Sequence, residues 1–228
     1  METTILYLGV PNLDPVIKRT CLHYLQGMRN PIVYMNQPPE WELSGLSMYR
    51  QIQEGLKQVK TKWVAIAEHD CVYSQEHFDF IPPDDNYFWY NLNSWFLQYK
   101  NPRFPEMDGM FSYMGNRRVQ SQLICDADRL REVTEAQIKA VEDPAWNKVR
   151  HNKPIGEPGT IGIKALKMTT GDLHQWIKDY LIGYQAKDFT TTIPNIDIRH
   201  GSNLTGPRRG NKKTFVLPPW GEMSSVLK

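Results

Sequence analysis

Two acidic side chains one residue apart, at the end of an apolar run, are the part of this sequence with the most chemical content. Glu68-His69-Asp70 directly follows Trp-Val-Ala-Ile-Ala at 63–67. Carboxylates so spaced on a turn can both face one crevice, and their hard oxygens suit Mn²⁺ or Mg²⁺, with positions left open for phosphate oxygens. An acidic surface turn that holds nothing has the same letters, and so short a motif does not separate the two readings. His69 would face away from its neighbours if the chain is still extended there. A second polar concentration, Asn-Ile-Asp-Ile-Arg-His-Gly-Ser-Asn-Leu-Thr-Gly-Pro-Arg-Arg-Gly, spans 195–210. Arg199, Arg208 and Arg209 have the guanidinium geometry that forks onto phosphate oxygens. His200 offers an imidazole, acceptable to Mn²⁺ and poorer for Mg²⁺. Solvated arginines and a turn histidine are the plain alternative.

Such residues need a scaffold that gathers strand ends. Residues 5–10 (ILYLGV) are an apolar run closed by Pro11-Asn12, which predicts a buried strand and then a loop. Asp14 and Pro15 are an N-cap and a first-turn proline for a helix reaching Gly27. Residues 32–35 (IVYM) predict a second strand, ended by Pro38-Pro39. Leu46, Tyr49, Ile52, Leu56 and Val59 have helical spacing over 44–60, with Ser44 as cap. Residues 63–67 then predict a third strand, apolar throughout and hence central in a parallel sheet. In open α/β sheets ligands bind outside the carboxyl ends of the strands, which is where Glu68-His69-Asp70 falls.

The rest is less regular. Short aromatic strands are predicted at 87–90 and 109–114, separated by a Pro-containing turn, and 122–125 (QLIC) leads into a polar helix over 128–141. Residues 156–162 (GEPGTIG) form a loop, a helix is predicted over 172–184, and from Phe189 onward the chain reads as loop or short strand. The expected fold class is α/β, one domain over 1–228, with a mostly parallel sheet in 1–100 and a mixed, loop-rich half in 101–228.

Composition sets outer limits. With 228 residues and 40% hydrophobic content the chain can bury one sizeable core. A formal charge of +2, from 27 basic and 25 acidic residues, creates no global field for nucleic acid or membrane, so any such role rests on a local patch. Cys21, Cys71 and Cys125 are odd in number and lack a CxxC pair, which argues against a disulfide framework or a zinc knuckle and fits a reducing compartment. The N-terminal apolar stretch is too short for a signal or a membrane span, so a soluble, cytoplasmic protein is expected. Seven Trp and eleven Tyr would suit flat ligands, although aromatic residues usually fill cores.

The stretch 45–73, Gly-Leu-Ser through the apolar strand to Glu68-His69-Asp70-Cys-Val-Tyr, resembles the central signature of GT-A glycosyltransferases of the family-2-like kind. That family's DxD motif is here Glu-His-Asp, a departure that keeps both carboxylates. The resemblance implies a transferase that takes a sugar from a nucleotide-sugar donor, UDP-glucose first among them, with Mn²⁺ or Mg²⁺ as cofactor and residues 1–100 as the donor half. It implies Asp70 as the direct metal ligand, Glu68 as a contact to ribose or to metal-bound water, and His200 as a late-loop ligand. Val10, Asn36, Gln37, Arg50, Arg208 and Arg209 are the further donor contacts expected. No ED dipeptide of the kind that supplies the catalytic base stands at the matching place. Glu157 is the first candidate for that role and Asp108 the second, and retention or inversion stays open.

The acceptor is suggested by two weaker signals. Arg199, His200, Arg208, Arg209, Lys212 and Lys213 follow one another without an acid between them, and Arg117-Arg118 adds a small cluster; such stretches position phosphates. The run AEHDCVY with FWYN and HGSNLTGPRR resembles phage-type and base-J-type DNA glucosyltransferases. That resemblance implies a hydroxymethylated pyrimidine in DNA, flipped out to stack on Trp89, Tyr90 or Trp95. A transferase for a protein or a small carbohydrate, and a non-catalytic nucleotide-binding module, are the alternatives.

Overall fold

A computed structural model of the chain describes residues 2–102, 104–142, 156–160, 185–201 and 210–228. Its organising element is a trio of parallel strands, β1 (Thr3–Gly9), β2 (Ile32–Asn36) and β3 (Trp63–Glu68), with β1 in the middle. Alternation along these strands divides the core. Leu6, Leu8, Val64 and Ile66 point to one face, where α2 (Gly45–Leu56) and α4 (Ala127–Glu142) cover them. Ile5, Tyr7, Ala65 and Ala67 point to the other and meet Leu25 of α1 (Pro15–Gln26) and Phe78 of α3 (Gln75–Asp79). Both faces being apolar, the strands lack the polar alternation of a half-exposed sheet, as a covered parallel sheet requires.

The helix starts follow their caps. Asp14 Oδ1 accepts from the Val16 and Ile17 amides at 2.8 and 3.4 Å, with Pro15 at the first helical position. Ser44 and Ser47 exchange side-chain bonds in a capping box at the start of α2. That helix ends at Leu56, a turn earlier than its apolar spacing predicts. It lies very close to the sheet: a Cβ at Gly55 would stand 2.3 Å from Leu6 Cδ1 and 2.7 Å from Met35 Cγ.

The two sheets interleave the halves of the chain. The first has the order β2-β1-β3-β8-β5-β9, so β8 (Leu123–Asp126) and β9 (Gln185–Phe189) join strands from the first hundred residues. Both contacts of β8, with β3 and with β5 (Tyr87–Asn91), are antiparallel. The second has the order β11-β7-β6-β10-β4, from β11 (Lys213–Thr214), β7 (Phe111–Tyr113), β6 (Ser94–Gln98), β10 (Asn195–Arg199) and β4 (Cys71–Val72). In place of a single turn between two aromatic strands, β6 stands between β5 and β7. The stretch expected as loop or short strand from Phe189 onward contains the five-residue β10, buried at all five positions. Ile196 and Ile198 enter the core with Ile17, Val72 and Leu97, while the alternate Asp197 and Arg199 face polar surroundings. Its polar alternation therefore reflects an internal site and not solvent.

The helix expected over 172–184, His151, His174, Arg208 and Arg209 lie outside the described residues. Cys21, Cys71 and Cys125 are buried free thiols. Among the described residues no helix is long and apolar enough to cross a membrane.

His77 of α3 is fully buried, stacked on Phe189 at 5.8 Å with its Nδ1 3.4 Å from Asn91 Nδ2. Burial pushes its imidazole down to about 3, whereas the unfolded residue titrates near ~6.5. Between these values only the unfolded state takes up the proton. The stabilising difference is thus intact above ~6.5 and is lost as pH falls toward ~3, at up to about 1.4 kcal/mol per pH unit. In urea denaturation at about pH 7 and about pH 4.5, His77→Phe is expected to lose less stability on acidification than the wild type. Equal losses would show that His77 is not the group responsible.

Candidate functional site

The chain leaves the first sheet at Glu68 and enters the second at Cys71, so His69 and Asp70 form the turn between the sheets. Antiparallel pairing of β10 with β4 sets Asp197 opposite Cys71, and the Ile198 amide donates to the Asp70 carbonyl at 2.8 Å. That register carries Arg199 and His200 to the carboxyl ends of the parallel strands. His200 Nε2 lies 3.6 Å from Asp70 Oδ2, and both side chains are almost wholly buried. His69 Nε2 is 4.0 Å from the same oxygen, while its Nδ1 is 3.3 Å from the Leu8 carbonyl. His69 thus joins its neighbours instead of facing away from them. The alternation argument assumed extended chain, and the chain turns there.

These groups line a cavity of about 300 Å³. Val10, Gln37, Glu68, Asp70, Glu157, Arg199 and His200, all singled out from the sequence, are on its wall. Its wall also carries the apolar side chains of Val10, Leu13, Pro39, Trp41 and Leu43. Gln51 of α2, also on the wall, donates to the carbonyls of Gly9 and Met35 and so ties the ends of β1 and β2 together. Sequence reasoning missed Gln51 because a glutamine inside an amphipathic helix carries no local sign of a tertiary partner.

Carboxylates crowd around Glu68. Burial, then Asp70, Asp197 and Glu157, push the Glu68 carboxyl well above its usual range, and Arg199 only partly opposes them. Burial also works to raise Asp70, but His69, His200 and Arg199 outweigh it and hold that carboxyl below its usual range. Arg199 is itself buried, with Nη1 3.4 Å from Asp197 Oδ1. Donor atoms of His69, Asp70 and His200 lie within 4.8 Å of one another, as do those of Glu68, Asp70 and Cys71. Clustered carboxylate and imidazole donors among mutually repelling acids fit a divalent cation, and the imidazoles favour Mn²⁺ over Mg²⁺. Cys71 is buried, which raises its thiol well above the usual range and leaves it unreactive.

Glu157 reaches the cavity on a short loop fixed from below. Tyr90 Oη donates to the Pro158 carbonyl at 2.6 Å, and Gln137 Nε2 to the Gly156 carbonyl at 3.0 Å. Gly159 has φ +70°, and a Cβ there would meet the Gln185 backbone at 2.8 Å, so the loop needs glycine at this point. Gly156 and Glu157 also line a second, more open cleft of about 640 Å³, whose walls include Arg117, Arg118, Val119, Thr160 and Asp188. Arg118 holds Asp188 through two bonds of 2.6 and 2.8 Å.

Other expected contacts lie elsewhere. Arg50 is on the exposed side of α2, paired with Glu142 at 2.8 Å, because Tyr49 and Gln51 beside it take the inward positions. Asp108 is exposed and accepts from the Lys100 amide at 2.7 Å, closing the loop between β6 and β7. Asn36 is exposed and outside the cavity wall, with its side chain against Gly9. Of the aromatic residues expected to stack on a base, Tyr90 is fully buried under the Glu157 loop. Trp89 is buried with its indole donating to the Asp84 carbonyl, and half-buried Trp95 packs on Tyr113.

No protein-family model matches the chain, and no curated protein matches it either. Among solved structures it is similar to the crystal structure of a glycosyltransferase involved in the glycosylation of the major capsid of PBCV-1. The identity is 10% and the TM-score 0.46, over 85% of this chain and 92% of that one. What the cavity can do follows from its own side chains.

Removing the Tyr90 hydroxyl leaves the buried Pro158 carbonyl without that donor. Tyr90→Phe is expected to lower stability by about 1–2 kcal/mol in urea denaturation. An unchanged midpoint would mean that the hydroxyl does not anchor the loop.

Proposed function

We propose that the protein is a metal-dependent glycosyltransferase that moves a sugar from a nucleotide diphosphate donor, with a UDP-sugar as the leading choice, to an acceptor hydroxyl. The observation that carries this reading is the meeting of Asp70, His69 and His200 with Glu68 at the carboxyl ends of the parallel strands, in a cavity that shares Glu157 with a second cleft. Asp70 and His200, with His69 beside them, would hold Mn²⁺; such an ion, when bound, neutralises the charge that develops on a departing diphosphate. The apolar side chains of Val10, Trp41 and Leu43 on the wall suit a nucleobase, and its polar groups suit the diphosphate and sugar.

Glu157 stands where the two cavities meet. An acceptor hydroxyl entering from the open cleft gives its proton to the Glu157 carboxylate as its oxygen bonds to the sugar carbon and the bond from that carbon to the diphosphate breaks. A single displacement of this kind inverts the anomeric centre.

Among the described residues the open cleft has two cationic and two anionic side chains, Arg117 and Arg118 against Glu157 and Asp188, which balance. That balance supports a neutral hydroxylated acceptor, such as a saccharide, over a polyanion. Of the basic tail from which a DNA acceptor is expected, Arg208 and Arg209 lie outside the described residues, Arg199 is turned inward to Asp197, and Lys212 and Lys213 are exposed. Hydroxymethylated DNA accordingly enters the test as one acceptor among several.

Release of UDP from a panel of UDP-sugars, with saccharides and hydroxymethylated DNA as acceptors, tests the reading. Activity is expected to vanish with EDTA and to return with Mn²⁺ more fully than with Mg²⁺. Asp70→Asn should remove it with the fold intact by circular dichroism, and persistence of full activity would end the metal assignment. Glu157→Gln is expected to lower kcat by roughly 10²–10⁴-fold with little change in donor KM. An equal rate in that variant would remove Glu157 as the base.

A further inference from the structure

Gln120 was not among the residues singled out from the sequence, and its side chain is the unexplained polar group of the cavity. It opens the short 3-10 turn Gln120–Gln122 that packs against β3, the strand ending in Glu68. The residue is 4% exposed and lines the cavity, yet among the described residues neither Nε2 nor Oε1 of its amide has a hydrogen-bond partner. By contrast, the amide of Gln51 holds strand ends, Gln37 Nε2 donates to the Trp41 carbonyl, and Asn195 Nδ2 donates to Gln122 Oε1 at 2.7 Å. A buried amide left unbonded at both ends is costly, so a group that completes it belongs to the bound state.

The chemistry of the missing group is constrained. The amide presents one acceptor oxygen and a donor NH₂. A phosphate could satisfy only the donor end. A sugar hydroxyl both gives and accepts, and a pair of adjacent hydroxyls can satisfy the two ends together. Position narrows it further, since the preceding residue, Val119, lines the open cleft together with Glu157. Gln120 thus lines the first cavity while its neighbour in sequence lines the open cleft.

We propose that Gln120 hydrogen-bonds the hydroxyls of the transferred sugar and makes the enzyme discriminate among donor sugars, an inference that rests on the sugar-transfer reading above. A site built to bond a hydroxyl disfavours analogues that lack or misplace it.

Gln120→Met keeps the volume and removes the unbonded amide. The variant is to be compared with the wild type by thermal melting without ligand, by titration with UDP and Mn²⁺, and by UDP release from UDP-glucose, UDP-galactose and UDP-xylose. The expected pattern is a melting temperature that holds or rises, UDP affinity within about twofold, and kcat/KM for the preferred sugar lowered by at least about tenfold with selectivity among the three reduced. A lower melting temperature would make the amide a structural group and overturn the assignment. Equal loss of UDP affinity and of kcat/KM would place it at the nucleotide and overturn it as well, as would unchanged kinetics. If the wild type binds and turns over no UDP-sugar, the sugar-transfer reading fails before the variant is compared, and the hydroxyl assignment falls with it.

Discussion

The pairing of β10 with β4 is the constraint on which the rest of the site depends. Two strands that belong to one sheet are attached through the His69-Asp70 turn to the last parallel strand of the other, so the turn is held from both sides. The antiparallel register then fixes which residues arrive. Asp197 stands opposite Cys71, and the strand delivers Arg199 and His200 to the cavity. A shift of one residue would reverse the faces, turning the isoleucines toward the cavity and the charges toward the core. The buried Ile196 and Ile198 therefore secure the chemistry as much as the packing.

What this arrangement gathers is electrostatically expensive. Asp70, Asp197 and Glu157 crowd Glu68, where Arg199 offsets only part of the repulsion, whereas Arg199 with the two histidines prevails at Asp70. Glu68 is driven toward its neutral form and Asp70 toward its charged form by the same surroundings. The difference lies in position, since Asp70 has both imidazoles close to it while Glu68 has mainly other acids. Perturbation in opposite directions within one cavity is typical of sites that bind charge and move protons. A stable core supports it, with apolar residues on both faces of the parallel strands.

The two cavities share a wall built from distant parts of the chain. Tyr90 of β5 and Gln137 of α4 support the Glu157 loop from beneath, and Val119 and Gln120 stand at the entry to β8. Aromatic residues that looked available for stacking are spent on this support and on the core. Tyr90 shows the exchange most clearly: its ring is buried and its hydroxyl holds the loop that presents a carboxylate to both cavities.

The sequence alone determined the local elements of the first 70 residues. Asp14-Pro15, Ser44, the helical spacing of Tyr49, Ile52 and Leu56, and the apolar runs of β1 and β3 are signals complete within a few residues, so α1, α2 and the parallel strands could be read directly. The place of Glu68-His69-Asp70 at a strand end followed from the same signals. Further on, the strands read at 87–90 and 122–125 and the helix at 128–141 are present as β5, β8 and α4, but how they meet was decided by tertiary structure. β10 has only two apolar residues, and its polar ones are explained by a cavity made elsewhere, so nothing local marks it as a buried strand. The inward turn of His69, the unbonded amide of Gln120 and the diversion of Arg50 to Glu142 each depend on partners far along the chain. Hydrophobic periodicity records which face of an element is buried; it does not record what that face meets, and a site assembled by strand register is defined by those meetings.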